Sequence, residues 1–400
     1  RQSAFSKDGG WSNMGFPIVE MNEDGTFVVT KSPNTGGIVT RASVGEQILY
    51  EIGDPAAYML PDVVVDMSHV RLEQIGNEKV RVSNVQGRPP SDLYKVSATY
   101  VDGYKISGQL MIGGVDARDK ALKLAEAVLI RTRRMLKSFG FKDFRQVNVE
   151  TLGAEHTYGP HAKQALCTRE VILRLSVHHD NPMALRIFAS EVAPSATSMA
   201  PGITGAGAGR PRAMPLLVHA SCLIDKKLVP SALSITGQKN SIQVLPLKHR
   251  NAASPNASLE DKKSRSSPSA IVCVDQVETS HDTQIPNVSS SSSERTVRVP
   301  LIKLCVGRSG DKGDTANIGL MARDARYWQY LKEQMSAERV GGYIKHLLQS
   351  GAKIQRYELP GIHGLNFLIT KALGGGGLCS LQIDRQGKTY AQLVLTMPMD

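Results

Sequence analysis

Long apolar runs are missing from this 400-residue chain. No stretch approaches the roughly 20 residues that span a bilayer, and no signal peptide is visible in the sequence. Aromatic residues are scarce, at 5% against 41% hydrophobic, so any core must be built from aliphatic side chains. Cysteine is sparse too. Cys167, Cys222, Cys273, Cys305 and Cys379 are far apart, odd in number and form no CxxC. That excludes a zinc knuckle and a disulfide framework, and fits thiols in a reducing compartment. We therefore expect an intracellular protein, cytoplasmic or mitochondrial.

What is abundant is positive charge, a net +11. The Lys and Arg residues are dispersed, with small clusters such as Arg131 to Arg134, and lack the interleaved aromatics of a single-strand binder. Neither nucleic acid nor a membrane is expected as a partner. Anionic metabolites such as acyl-CoA thioesters suit the charge, as does a merely solvated basic surface.

Composition divides the chain. From about Thr236 to Thr296 it is rich in Ser, Asn, Lys and Pro and reads as a disordered linker. Before it, residues 1–235 read as an α/β or α+β core. A hairpin arm is expected at Phe27–Thr30, and a helix from Ser43, with Ser43 as cap and Glu46 three residues on. Strands at Val96–Tyr100 and Tyr104–Ile112 are expected to turn at Asp102-Gly103. A long helix follows Asp116, with Leu122, Ala125, Val128 and Leu129 at helical spacing. Strands near Val147–Leu152 and Val171–Val177 precede a second helix capped by Asn181-Pro182. After the linker, residues 297–400 carry strand patterns at Arg298–Val306, Lys353–Leu359 and Gly364–Thr370. Helices are expected at about Ala325–Met335 and Ser336–Gln349, and a last pair of strands around Arg385-Gln386-Gly387. Two helices on an antiparallel sheet give a ferredoxin-like α+β sandwich.

The most chemically suggestive stretch runs from Gly307 to Asp314. Its glycines would let backbone N–H groups converge on an anion, with Arg308 and Lys312 adding charge. It is not a Walker A loop, because Asp311 precedes Lys312 and Asp314 follows Gly313. The aspartates could hold a metal, take a proton or pair with the neighbouring cations, and a tight turn closed by internal ion pairs is the plainer reading. His363 beside Asp311 and Lys312 would make an acid–base set if the sheet brought them together. Asp116 and Arg118 lie at a helix start, as a cap and surface residue or as an anion site. Asp62 and Asp66 flank a short strand. Glu155, His156, Tyr158 and His161 form a polar loop without a known metal spacing. Gly374 to Gly377 permits a close backbone approach or forms a wide turn. Gly205 to Gly209 does not form a dinucleotide fingerprint.

Three motifs occur in one order: RSGDKGDTANIG from Arg308, YELPGIHGLNF from Tyr357 and ALGGGGLCSL from Ala372. Together they resemble the C-terminal domain of the acyclic terpene utilisation (AtuA) family. GWSNMGFPIVE from Gly10, KSPNTGGIVT from Lys31, YEIGDPAAYMLPDVVVD from Tyr50, GGVDAR from Gly113 and Gly209-Arg210-Pro211 extend the resemblance upstream. The family pattern has a further α/β segment before Trp11, so the core is expected to be incomplete at its N-terminus. The resemblance implies breakdown of citronellol- and geraniol-type terpenes through branched CoA thioesters. Hydration, lyase or hydrolytic chemistry fits, since no nicotinamide or flavin signature is visible; no cofactor is specified and no metal is expected. On this reading Asp311, Lys312, Asp314 and His363 are the candidates for chemistry, and Arg308, Gly310, Gly313, Asn317, Asp116 and Arg118 for ligand or cofactor binding. A homo-oligomer stays open. The alternative is a non-catalytic binding or assembly protein of a catabolic complex.

Overall fold

The computed structural model describes residues 10–206, 209–234, 236–237, 242–244, 271–273 and 297–400. The expected linker therefore lies almost wholly outside the described residues. Helix and strand are mixed throughout, and the ladders between named strands are antiparallel.

The first sheet is formed by β1 (Pro17–Met21), β2 (Phe27–Lys31), β3 (Arg71–Gly76) and β4 (Lys79–Ser83), in the order β1-β2-β4-β3. Helix α1 (Arg41–Ile48) covers it, burying Val44 with Leu72, Val80 and Val82. The helix starts earlier than its capping pattern predicts. Thr40 is the cap, and Ser43 is the third helical residue that answers it: Thr40 Oγ1 accepts from Ser43 N at 3.2 Å, and Ser43 Oγ accepts from Thr40 N at 2.9 Å. A second hydroxyl thus does the work expected of Glu46.

The second sheet is built on β5 (Leu93–Gly113), a single strand of 21 residues. The hairpin expected at Asp102-Gly103 does not form. The first half of β5 pairs with β9 (Met214–Asp225) and the second half with β7 (Glu170–His179), which itself pairs with β6 (Gln146–Leu152). A short β8 (Ile203–Gly205) flanks the far end of β5. Gly103 has φ of 76°, and the β9 register shifts opposite it, between Pro215 and Leu217. The pair is a bulge where one strand passes between two partners. Asp102 is fixed there by two hydrogen bonds from Arg145, at 2.7 and 3.0 Å. Local turn chemistry has yielded to pairing with residues over a hundred positions away.

Helices α2 (Ala117–Ser138) and α3 (Pro182–Val192) pack on this sheet. The buried stripe of α2 includes Ala121, Leu124, Ala125 and Val128, whereas Leu122 is exposed. Asn181 caps α3 as expected, accepting from Met183 N.

The C-terminal unit is a ferredoxin-like sandwich. Its strands are β10 (Cys305–Lys312), β11 (Thr315–Ala322), β12 (Lys353–Leu359) and β13 (Gly364–Ile369), in the order β12-β13-β11-β10, with Ile271–Cys273 pairing along the outer edge of β12. Helices α4 (Trp328–Gln334), α5 (Ala337–Ile344) and α6 (Tyr390–Val394) cover one face. Two expectations fail here. Arg298–Val306 is interrupted by a single turn at Leu301–Lys303, and the terminal strand pair around Gly387 is replaced by α6. The alternation of Thr389–Met397 was too weak to outweigh burial of Tyr390, Ala391, Leu393 and Val394 against the sheet.

The reason β11 is buried along nearly all its length lies in the period of two. Ala316, Ile318, Leu320 and Ala322 face the helices. Asn317, Gly319 and Met321 face the other way, toward the segment that follows α1. The core around α1 is completed by Val306, Met321, Leu359 and Ile362 from the far end of the chain. An Asn pair fixes this junction. Asn317 accepts from Glu51 N at 2.7 Å, donates to Leu49 O at 3.0 Å and also donates to Asn366, which in turn reaches the carbonyls of Ile52 and Gly53.

Candidate functional site

The stretch from Gly307 to Asp314, which could have been an anion cradle, follows the plainer expectation of a tight turn with ion-paired charges: Arg308 to Gly319 is a two-stranded hairpin. Lys312 pairs with Thr315, so only Gly313 and Asp314 make the turn. Along β10 successive N–H groups point to opposite edges, alternate ones into the ladder with β11, so they cannot converge on one anion. The glycines are needed for approach by other parts of the chain. A Cβ on Gly310 would come within 2.6 Å of the Glu51 side chain, and one on Gly319 within 2.5 Å of Leu49.

The charges of the hairpin are paired. Glu51 accepts from Lys388 at 2.7 Å and Lys312 at 3.1 Å, and Asp311 lies 3.7 Å from Lys388. Lys388 also donates to the Tyr50 hydroxyl. The Arg308 guanidinium stacks over the Tyr50 ring at 3.7 Å and reaches Gln47. Partial burial works to raise the Glu51 pKa, but hydrogen bonds from Lys388, Tyr50 and Lys312 outweigh it and hold the carboxyl at about 2. Asp314 is a brace for the glycine run: one of its oxygens accepts from Leu373 N at 3.1 Å and Gly375 N at 2.8 Å. The close approach expected of Gly374 to Gly377 is made to the chain itself, since a Cβ on Gly376 would meet Gly313 O at 2.4 Å.

His363 does not join this group. It follows the turn at Pro360–Ile362 in the left-handed region, with φ of 56°, and stands against Trp328. Asp311 pairs with Ala316 at one end of β11, and Gly364 pairs with Met321 toward the other. Five strand residues put about 17 Å between them. The predicted Asp311–Lys312–His363 set is not assembled. Asp66 is likewise occupied, closing a turn through Ser68 N and its hydroxyl.

The structure instead gathers residues from two separate sequence patterns in a polar cleft of about 410 Å³. Arg118, at the start of α2, lines it, as do Asn148 and Glu150 of β6 and His156 of the following loop; His346, Gln382 and Asp384 come from the C-terminal unit. Asp116 takes the cap position of α2 in the left-handed region, φ 55°, and its side chain caps nothing, which corrects its expected role. Of the polar loop, Glu155 is spent on Lys163 N and Gln164 N, and His161 stacks on Tyr343 at 3.8 Å. His156 is left facing the cleft. Desolvation lowers its pKa below the ordinary 6.5, and His346 and Arg118 push it the same way against Glu150. His346 is lowered by desolvation too, and its Nε2 lies 2.9 Å from Thr157 O. In both cases the shift favours the neutral imidazole. Gly159 makes this juxtaposition feasible: at φ 51°, a Cβ there would sit 2.3 Å from the His346 ring.

The cleft wall is held by a buried ion pair. Arg174 meets Glu150 at 2.5 Å, with 12% and 4% side-chain exposure. Arg174 also donates to Leu381 O at 2.5 Å, and Glu150 accepts from Ile383 N at 2.8 Å. Sequence reading noted Arg118 and His156 separately, but nothing local marks His346, Asn148 or Gln382. Only the docking of the two units brings them together. Among the described residues no group of three His, Cys, Asp or Glu side chains could hold a metal ion, and no helix is long and apolar enough to cross a membrane.

An antiparallel core carrying a ferredoxin-like sandwich, with a polar cleft where they meet, defines a class of two-unit α+β proteins. The particular family is given by direct comparison. The profile of the acyclic terpene utilisation family protein AtuA matches residues 2–235, and that of the AtuA ferredoxin-like domain matches residues 299–400. The chain belongs to the acyclic terpene utilisation family. No curated protein and no solved structure matches it.

Proposed function

We propose that this protein acts on a branched acyl-CoA intermediate of acyclic terpene utilisation, adding or removing water or hydrolysing a bond, within the cleft between its two units. The supporting observation is the meeting of Arg118 with two imidazoles whose burial favours the neutral form in a partly desolvated pocket. A neutral His156 can accept a proton from water or from an activated C–H group, which an imidazolium cannot. Arg118 would hold an anionic or carbonyl oxygen of the substrate. Chemistry is placed here rather than at Asp311, Lys312 and Asp314, whose charges are engaged within the hairpin and glycine run.

Thermal-shift screening against CoA thioesters tests this directly. Stabilisation by a branched acyl-CoA is expected, weakened in Arg118→Ala. Turnover should fall by about 100-fold or more in His156→Gln with little change in binding. No stabilisation by any thioester, together with co-purification of another catabolic enzyme, would favour the assembly reading. That second reading has its own support in the exposed apolar side chains of Trp11, Phe16 and Met21.

A further inference from the structure

An apolar cavity of about 460 Å³ lies away from the cleft, between the inner face of β1 and β2 and helix α1. Pro17 pairs with Lys31 and Val19 with Val29, so alternation along both strands points Val19, Val29 and Lys31 into it. Val44 and Ile48 of α1 form the opposing wall. Its volume falls within the range of small-molecule sites.

Three charged side chains line this cavity: Lys31, Glu46 and Arg308. Arg308 has partners in Gln47 and the Tyr50 ring, and Glu46 is not free either. Lys31 differs. It is half-buried, and its ammonium donates to the neutral carbonyl of Thr35 at 2.6 Å. An ammonium has three donors, and partial burial beside apolar walls raises its demand for a negative partner.

We propose that this cavity binds a small carboxylate bearing an apolar tail. The tail lies against Val19, Val29, Val44 and Ile48, and the carboxylate takes the open donors of Lys31. This site is separate from the cleft and does not depend on the reaction assigned there.

Calorimetric titration of the full chain with decanoate, below its micelle concentration, and with 1-decanol tests the proposal. Saturable one-to-one binding of decanoate is expected. Lys31→Met, which keeps most of the aliphatic stem, should weaken decanoate about tenfold and leave 1-decanol unchanged. Val19→Trp should weaken both ligands by filling the open side, whereas Ile18→Trp, on the opposite face of the same strand, should weaken neither. Circular dichroism establishes that each variant is folded. Absence of saturable binding to the folded parent protein overturns the proposal. So does an equal loss in Val19→Trp and Ile18→Trp, which marks non-specific adsorption. Light scattering gives the remaining alternative: a dimer dissociated by Val19→Trp, without decanoate binding, would assign the face to a second copy of the chain.

Discussion

Replacing Arg174 by Met would remove the cation from the cleft wall while keeping its bulk. Glu150 would then be left as a carboxylate with 4% exposure and one remaining partner, the amide of Ile383. Breaking a buried pair from one side costs about 3–5 kcal/mol, because the surviving charge is neither solvated nor paired. The double variant Arg174→Met/Glu150→Leu deletes more interactions but strands no charge. Leu381 O keeps a donor in Asn148, at 3.2 Å, and Ser107 keeps Ser176, at 2.7 Å. Only the Ile383 amide is orphaned, at a cost of about 1–3 kcal/mol. The double variant is therefore expected to be more stable than the single by about 1–3 kcal/mol. Urea unfolding would measure the difference. Amide exchange at Ile383 would localise it, being faster than the parent in the double variant, where no acceptor remains. A double variant less stable than Arg174→Met, or a single variant costing under about 1 kcal/mol, would refute the reasoning.

Glu51 predicts an acid response. Its carboxyl is held at about 2 against an ordinary 4.5, so its contribution to stability is present above 4.5 and lost as pH falls toward 2. Glu51→Gln should flatten the stability curve over that window, measured by denaturation at stepped pH. Gly159→Ala should lower the melting temperature and displace His346, since the added Cβ would sit 2.3 Å from its ring; an unchanged melting temperature would contradict that packing. Asn317→Ala should cost about 2–4 kcal/mol in urea unfolding, because Glu51 N and Leu49 O both lose a buried partner.

Elements defined by local rules were legible in the sequence. The Asn181-Pro182 cap, the helix after Asp116, the β6 and β7 strands and the two strands β12 and β13 all fall where periodicity and punctuation put them. The failures share a cause. Asp102-Gly103 reads as a turn only while Met214–Asp225 is out of view, and the less plain of the two readings of the Arg308 glycines, a nest, stays open only while Leu49–Glu51 is out of view. Sequence identified Arg118 and His156 as polar residues of interest but could not join them, because the wall that joins them comes from Glu150, His346 and the residues around Gln382. Conversely, the most eye-catching motif owes its aspartates and glycines to packing: Asp314 braces Gly375, and Gly310 admits Glu51.

The hydrogen bond from Glu51 to Asn317 spans 266 residues of chain. It closes a circuit that contains the whole second sheet and the stretch at 236–296. The α1 core cannot be sealed until β10, β11 and β12 have been synthesised, so this protein must finish its first layer last. Yet the entropy of closing such a circuit grows only with the logarithm of its length, about 0.6 kcal/mol for each doubling. Lengthening the segment between the two units by tens of residues should therefore leave the equilibrium nearly untouched and change mainly how quickly the two ends find each other.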